Sequence, residues 1–325
     1  MTEFFPEVFD ALIQPGPRLP WLTDWMLQKV WTKERYEAHG PVEFLQQGEK
    51  QVNHLEEVMA AAAARVYDEF LSPVPPERDV QAFLTSTPEA AVVIFDGLSL
   101  REIPLLLDLA EQSRMPVETA SYSIAAVPSE TVAFIEERLK ISNTSPSQLP
   151  QRRELKSQGI QAYYYAHTNE RHQLDLDAKA LLLWSSFPDQ TYADSGARFA
   201  HHFEQIHKML ETAWQNTVQQ IPKGRKILIT SDHGYVYFGA GLDFNRDRAS
   251  LRSLSEYLGG ERHRVFTTQE SPPDHPDLAI LESKKLAILR GRVKPHFQGP
   301  ASNKLYRHGG LSLMEMLTPW VVIAS

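Results

Sequence analysis

Residues 227–234 read Ile227-Leu228-Ile229-Thr230-Ser231-Asp232-His233-Gly234, an apolar run that stops on a carboxylate, an imidazole and a glycine. A short apolar run bounded by polar turn residues is a strand, and one without polar alternation is a strand covered on both faces. Runs of this texture recur from Ala90 onward as AAVVIF, QAYYYA, KALLLW, LAILR and PWVVI. Amphipathic stretches at 100–112, 129–139 and 197–219 separate them, and this alternation predicts an α/β sheet with helices on its faces.

Residues 1–85 lack such runs. Apolar residues at helical spacing over 21–37 and 42–71 predict a helical amino-terminal extension, and Pro73, Pro75 and Pro76 end it. A linker is expected over 72–89, followed by a second domain over 90–325. The segment 239–276, rich in Gly, Arg, Asp and Ser, reads as an excursion over the site.

The chain has 325 residues, 33 Lys+Arg against 41 Asp+Glu, a net charge of −8 and no cysteine. The acidic balance argues against a nucleic-acid coat or a basic membrane-surface protein. Without thiols, any metal must be held by His, Asp, Glu or hydroxyl oxygens. The opening stretch is acidic where a secretory leader carries Lys or Arg, and no apolar run approaches the roughly 20 residues of a membrane span. A cytoplasmic location is therefore expected.

In open α/β sheets ligands gather at the carboxyl ends of strands, so residues there are candidates for chemistry. Asp96 and Gly97 follow AAVVIF; Asp96 can equally cap the helix near Leu100. Asp232 and His233 can present both side chains to one ion if the backbone turns at Gly234. His308 precedes Gly309-Gly310 and reads either as a ligand or as a plain turn residue. Ser129 and Thr131 open a helix; Ser129 reads as its cap, while either hydroxyl at a helix start could meet a phosphate. Arg262 and Arg264 flank His263 after Gly259-Gly260 and are candidate phosphate ligands, as guanidinium matches phosphate bidentately. Arg246 and Arg248 lie in the same excursion. Tyr163-Tyr164-Tyr165 is read as strand packing with no function.

In chain order, strand-Asp96-Gly97-Leu98, Pro128-Ser129-Glu130-Thr131, Ser231-Asp232-His233-Gly234 and the ending His308-Gly309-Gly310-Leu311-Ser312-Leu313 with Pro319 resemble the metal-ligand and nucleophile order of the alkaline phosphatase superfamily. Within it they are most similar to the PglZ domain. The resemblance covers about residues 90–325 and implies an alkaline-phosphatase-like sheet sandwiched by helices. It further implies one or two zinc ions, with manganese as an alternative. Asp96, Asp232, His233 and the Thr131 oxygen would hold one ion, and His308 would help hold the other with Asp189. The superfamily's further His, four residues after that Asp, is replaced here by Ala193; Asp194, one position on, is a substitute oxygen ligand.

Thr131 is the implied nucleophile, because in the Pro-hydroxyl-x-Thr form of the segment the later hydroxyl matches. The implied activity is a metal-dependent phosphoesterase, of phosphodiesterase or nuclease type, acting on a nucleic acid or nucleotide in bacterial phage defence or signalling. The missing His keeps a second reading open: a catalytically decayed module that binds a protein partner through residues 1–85.

Overall fold

The computed structural model describes Val8, Leu12 and residues 15–192, 199–294 and 305–325, with the side chains of 192 and 199–204 left aside. Its centre is a six-stranded sheet of β1 (Ala90–Phe95), β2 (Val117–Ile124), β3 (Ile160–Tyr165), β4 (Ala180–Ser185), β5 (Lys226–Thr230) and β11 (Leu317–Ala324), in the order β2-β11-β5-β1-β4-β3. β1 pairs in parallel with β4 and β5, and β3 with β4; β11 runs antiparallel to both β5 and β2. The carboxyl ends of β1, β2, β4 and β5 and the amino end of β11 therefore meet along one edge. Every residue of β1 and β4 is buried, as their unbroken apolar sequences require.

Alternate residues of the central strands feed opposite cores. Ala91, Val93, Phe95, Leu181, Leu183, Ile227 and Ile229 face one side, and Ala90, Val92, Ile94, Leu182, Trp184 and Leu228 the other. The amino-terminal helices Leu19–Trp25 and Lys33–Ala62 place Leu22, Phe44, Val52 and Met59 in the first of these cores. They are thus built onto the sheet by shared apolar packing. The Lys33–Ala62 helix bends where Gly40 leaves helical geometry before Pro41.

Three expectations change. Residues 72–89 are not an open linker: Val80–Ser86 is a helix capped by Asp79, whose side chain accepts the Ala82 N–H at 2.7 Å, and Val80 and Leu84 enter the second core. LAILR belongs to a separate three-stranded sheet, β7 (His263–Val265), β8 (Leu278–Leu281) and β9 (Leu286–Leu289), ordered β7-β9-β8. The 239–276 excursion contains the helix Arg248–Leu258 as well as β7. A two-stranded ribbon joins β6 (Val236–Tyr237) to β10 (Tyr306–Arg307). Among the described residues no helix is long and apolar enough to cross a membrane.

Candidate active site

Four strand ends and the turn before β11 deliver the polar groups. Phe95 pairs with Ser185 and Ile94 with Thr230, so Asp96, the turn leading to Asp189, and Asp232-His233 emerge side by side. The Asp189 N–H donates to the Asp96 carbonyl at 2.9 Å, which fixes the turn after β4 against the turn after β1. β2 runs on through 125–130 to Thr131, the first residue of the helix Thr131–Arg138.

Thr131 Oγ1 donates to Asp232 Oδ2 at 2.6 Å and lies 3.5 Å from His233 Nε2. His233 Nε2 is 3.5 Å from Asp232 Oδ2 and 3.7 Å from Asp96 Oδ1. The Gly97 N–H donates to Asp232 Oδ1 at 3.1 Å and the Trp184 indole N–H to Asp96 Oδ2 at 3.1 Å. Asp96 Oδ1 is buried without a hydrogen-bond partner. Burial first, then the charges of Asp232 and Asp189, push the Asp96 carboxyl well above the usual carboxylate range.

On the other side, His308 Nε2 faces Asp189 Oδ1 at 3.7 Å, and its Nδ1 lies 3.1 Å from the Ser129 carbonyl and 3.4 Å from Glu130 Oε1. Burial opposes charging of His308, but the hydrogen bond and charge of Glu130, with Asp189 and the Ser129 carbonyl, push it up to about 10. Glu130 in turn is lifted by burial but held at about 2 by His308, His233 and His263.

Two ligand sets result, each with its donor atoms within 4.8 Å of one another: Asp96, Asp232 and His233, and Asp189, His233 and His308. Carboxylates and imidazoles without thiolate suit zinc or manganese, and the orphaned Asp96 oxygen is a group that a cation would satisfy. The described residues fit such an ion. His233 stands in both sets but has one free nitrogen, because its Nδ1 faces the Gly234 carbonyl at 2.9 Å. When that nitrogen serves Asp96 and Asp232, Asp189 and His308 are left as a pair. Ala193 and Asp194 lie outside the described residues.

Glycine has two different uses here. At Gly234 a Cβ would sit 2.2 Å from the Met314 carbonyl, so the residue is needed for close approach of this turn to the short helix Leu313–Met316 rather than for a special backbone conformation. Gly309 has φ +98°, and a Cβ there would also meet Glu130 Oε1 and His263 Nδ1 at 2.8 Å.

Ser129 does not cap the helix. Its Oγ accepts the Gly309 N–H at 2.8 Å and donates to the Gly310 carbonyl at 3.0 Å, clamping the His308 turn to the Thr131 segment. The expectation for Arg262 is also corrected. It is fully buried, forks onto both oxygens of Glu315 at 2.7 and 3.0 Å, and spends its other donors on the carbonyls of Gly291 and Val293. Arg264 donates to the Tyr257 carbonyl and pairs with Glu270. Arg246 is held by Asp277 in a bidentate pair. Strand alternation sends the residue between the two arginines toward the site instead, with His263 Nδ1 3.8 Å from Glu130 Oε1.

Beneath the loops lies a buried ionic lattice. Glu315 accepts the Gly310 and Ser312 N–H groups at 2.9 and 2.6 Å. Glu56, from the Lys33–Ala62 helix, accepts the Leu313 N–H at 2.8 Å and pairs with Arg292 at 2.9 Å. Glu49 of the same helix joins Arg292 to Arg101 at 2.7 and 2.9 Å, and Arg101 donates to the Tyr235 carbonyl at 2.9 Å. The turns bearing His308 and His233 are thereby tied to the amino-terminal helix.

The structure is similar overall to murine ectonucleotide pyrophosphatase/phosphodiesterase 5, with a TM-score of 0.45, 13% identity, and coverage of 72% of this chain and 87% of that one. It is also similar to phosphonoacetate hydrolase from Sinorhizobium meliloti 1021 in complex with phosphonoacetate, with a TM-score of 0.38, 13% identity, and coverage of 72% and 90%. No curated protein matches the chain. A family model does match, over a segment that contains Asp189, Asp232, His233 and His308 and leaves Asp96 and Thr131 before it. Residues 188–323 match the BREX system PglZ alkaline phosphatase-like domain.

Proposed function

We propose that this chain is a metal-dependent phosphodiesterase in which Thr131 is the nucleophile. The observation that carries the reading is the 2.6 Å hydrogen bond from Thr131 to Asp232 within a cluster of carboxylates and imidazoles at one sheet edge. Zinc, or manganese, would be held by Asp96, Asp232 and His233, with a second ion at Asp189 and His308. When bound, such an ion supplies charge compensation for the attacking oxygen and for the phosphate.

Thr131 Oγ1 loses its proton to solvent and attacks phosphorus, with Asp232 serving as a ligand rather than as the base. The P–Oγ1 bond forms and the ester bond to the leaving alcohol breaks, the alcohol oxygen keeping the electron pair and taking a proton from solvent. A water oxygen then bonds to phosphorus as the P–Oγ1 bond breaks, and one of its protons returns the Thr131 hydroxyl while the monoester is released. Thr131 heads its helix, and no side chain caps that end, so the first N–H groups remain available to phosphate oxygens. Trp184 and Gly97 hold the two carboxylates in place while this happens.

The substrate class is a nucleic acid or nucleotide diester in the cytoplasm. The description of the matching family, which names the BREX system, supports a setting in phage defence. The test is turnover by the full chain, chelated and then reloaded with zinc or manganese, of bis(p-nitrophenyl) phosphate against p-nitrophenyl phosphate. The diester should be cleaved faster. Equal or faster turnover of the monoester would sink the diesterase reading, and no turnover of either by metal-loaded protein would favour a module that only binds a partner.

A further inference from the structure

We propose that the outer edge of β2 and the cavity beside it dock an extended, basic peptide segment of a partner protein, which pairs with β2 as an added strand of the central sheet. The proposal stands apart from the phosphodiesterase reading.

β2 ends the sheet, with β11 on one side and no strand on the other. The Ala125 N–H donates to the Met316 carbonyl at 2.8 Å, and going back along β2 Ile124 lies opposite Leu317, Ser123 opposite Thr318 and Tyr122 opposite Pro319. Antiparallel rungs alternate between bonded and unbonded pairs, so Ala125 and Ser123 spend their main-chain groups on β11. Tyr122 and Ile124 then turn theirs outward, and Pro319 has no N–H to offer Tyr122. Arg138 donates to the Ile124 carbonyl at 3.3 Å. Among the described residues the Tyr122 N–H and carbonyl and the Ile124 N–H have no hydrogen-bond partner.

A cavity of about 610 Å³ borders this edge, a volume in the range of ligand pockets. Leu19 and Val74 give it apolar surface, while Pro17, Pro73 and Pro75 in its walls bring no N–H that could close on the strand. An extended peptide sends alternate side chains to opposite sides, so its main chain can take the Tyr122 and Ile124 groups while one set of side chains fills the cavity.

Charge selects the guest. Glu69 and Glu77 line the cavity, and neither has an ion-pair partner among the described residues. Glu69 is held in place by accepting the Arg18 and Leu19 N–H groups at 2.9 and 2.8 Å. Arg78, the basic residue of the lining, is committed: it donates to Ser121 Oγ at 3.0 Å and lies over the Trp320 ring. Two carboxylates against one committed guanidinium favour a segment that carries Lys or Arg. A second copy placed edge to edge would bring its own Glu69 and Glu77 to the same place, and like charge opposes that pairing.

The experiment selects binders of the full chain from a random twelve-residue peptide library displayed on phage. The synthesised peptides are then measured by fluorescence anisotropy and by amide hydrogen exchange of the protein, read by NMR. Selected peptides should combine alternating apolar residues with at least one Lys or Arg. Bound peptide should slow exchange of the Tyr122 and Ile124 amides at least about tenfold and leave Ser123, already bonded to β11, unchanged. Val74→Asp should weaken peptide binding about tenfold or more, and Glu77→Lys about two- to fivefold, with melting temperatures close to that of the unaltered chain. Methylating alternate amide nitrogens of the peptide should abolish binding for one set and spare it for the other. Tyr122 and Ile124 amides already protected in the free chain, peptides that bind without protecting them, or a library that yields no binder sensitive to Val74→Asp would each overturn the proposal. Protection that rises with protein concentration alone would overturn it too, by assigning the edge to a second copy.

Discussion

The imidazoles of His233 and His308 lie face to face, with centroids 4.1 Å and planes 14° apart. One ring closes the Asp96–Asp232 set and the other faces Asp189, so two ligand sets share a wall and compete for His233 Nε2. Zinc titration of chelated protein should show one tight ion and a second at least about tenfold weaker, because ligand number sets affinity. Asp96→Ala and Asp232→Ala should each abolish the tight class, whereas His308→Ala should remove only the weak one. Two equal classes in the unaltered chain would refute the shared-ligand arrangement.

On the proposed mechanism, in which Thr131 Oγ1 is the attacking atom, Thr131→Ala should lower diester turnover on the order of a thousandfold or more and leave the tight zinc class in place. Rapid-quench detection of a phosphorylated chain with Thr131, and its loss in the alanine variant, checks the covalent step directly.

Ser129→Ala removes two buried hydrogen bonds between the Thr131 segment and the His308 turn. It should cost about 1–3 kcal/mol and weaken the second zinc class together with turnover. The loss of a simple helix cap would cost about 1 kcal/mol and leave zinc binding untouched. Thermal unfolding and zinc titration on the same sample separate the two.

Arg262→Met leaves the buried Glu315 carboxylate without its partner and should cost about 3–5 kcal/mol of stability. Arg264→Ala, at a half-exposed pair, should shift stability by no more than about 1 kcal/mol and leave diester turnover within about twofold. A drop in turnover with normal stability in the Arg264 variant would return that residue to the substrate site.

The Glu130–His308 pair makes a pH prediction for metal-free protein. His308 is raised from 6.5 to about 10, so its contribution is complete below pH 6.5 and fades as pH rises through 10. Glu130 is depressed from 4.5 to about 2, so its contribution is complete above pH 4.5 and fades as pH falls through 2. The difference in melting temperature between the chelated chain and its Glu130→Gln variant should be greatest between pH 4.5 and 6.5. A difference that grows toward pH 10 would contradict the pairing.

Much of this architecture is written in runs of like residues. β1, β4, β5 and β11 are legible because a strand covered on both faces needs an unbroken apolar sequence, and Asp96 and Asp232-His233 stand out as polar breaks at their ends. β2, Val-Glu-Thr-Ala-Ser-Tyr-Ser-Ile, escapes that reading because it is an edge strand and carries small polar residues. The prolines around 73–76 draw attention away from Asp79, a capping residue that opens the helix after them. Ser129 misleads because its partners lie 180 and 181 residues away, and local spacing carries no information about them. Arg262-His263-Arg264 misleads by charge: the pleat sends the arginines away and the histidine in.

Glu49 and Glu56 give the Lys33–Ala62 helix a bearing on how this protein can be cut. A fragment begun after that helix would strand the guanidiniums of Arg101 and Arg292 and the Leu313 N–H in a newly opened apolar surface. The family match spans 188–323, yet that stretch lacks β1, β2, β3 and β4 and two of the groups that meet at the sheet edge. The smallest portable unit is therefore much larger than the recognisable one. Moving this cluster of side chains into another protein requires the helical segment to travel with it, because Glu49 and Glu56 supply the floor on which the turns of His233 and His308 stand.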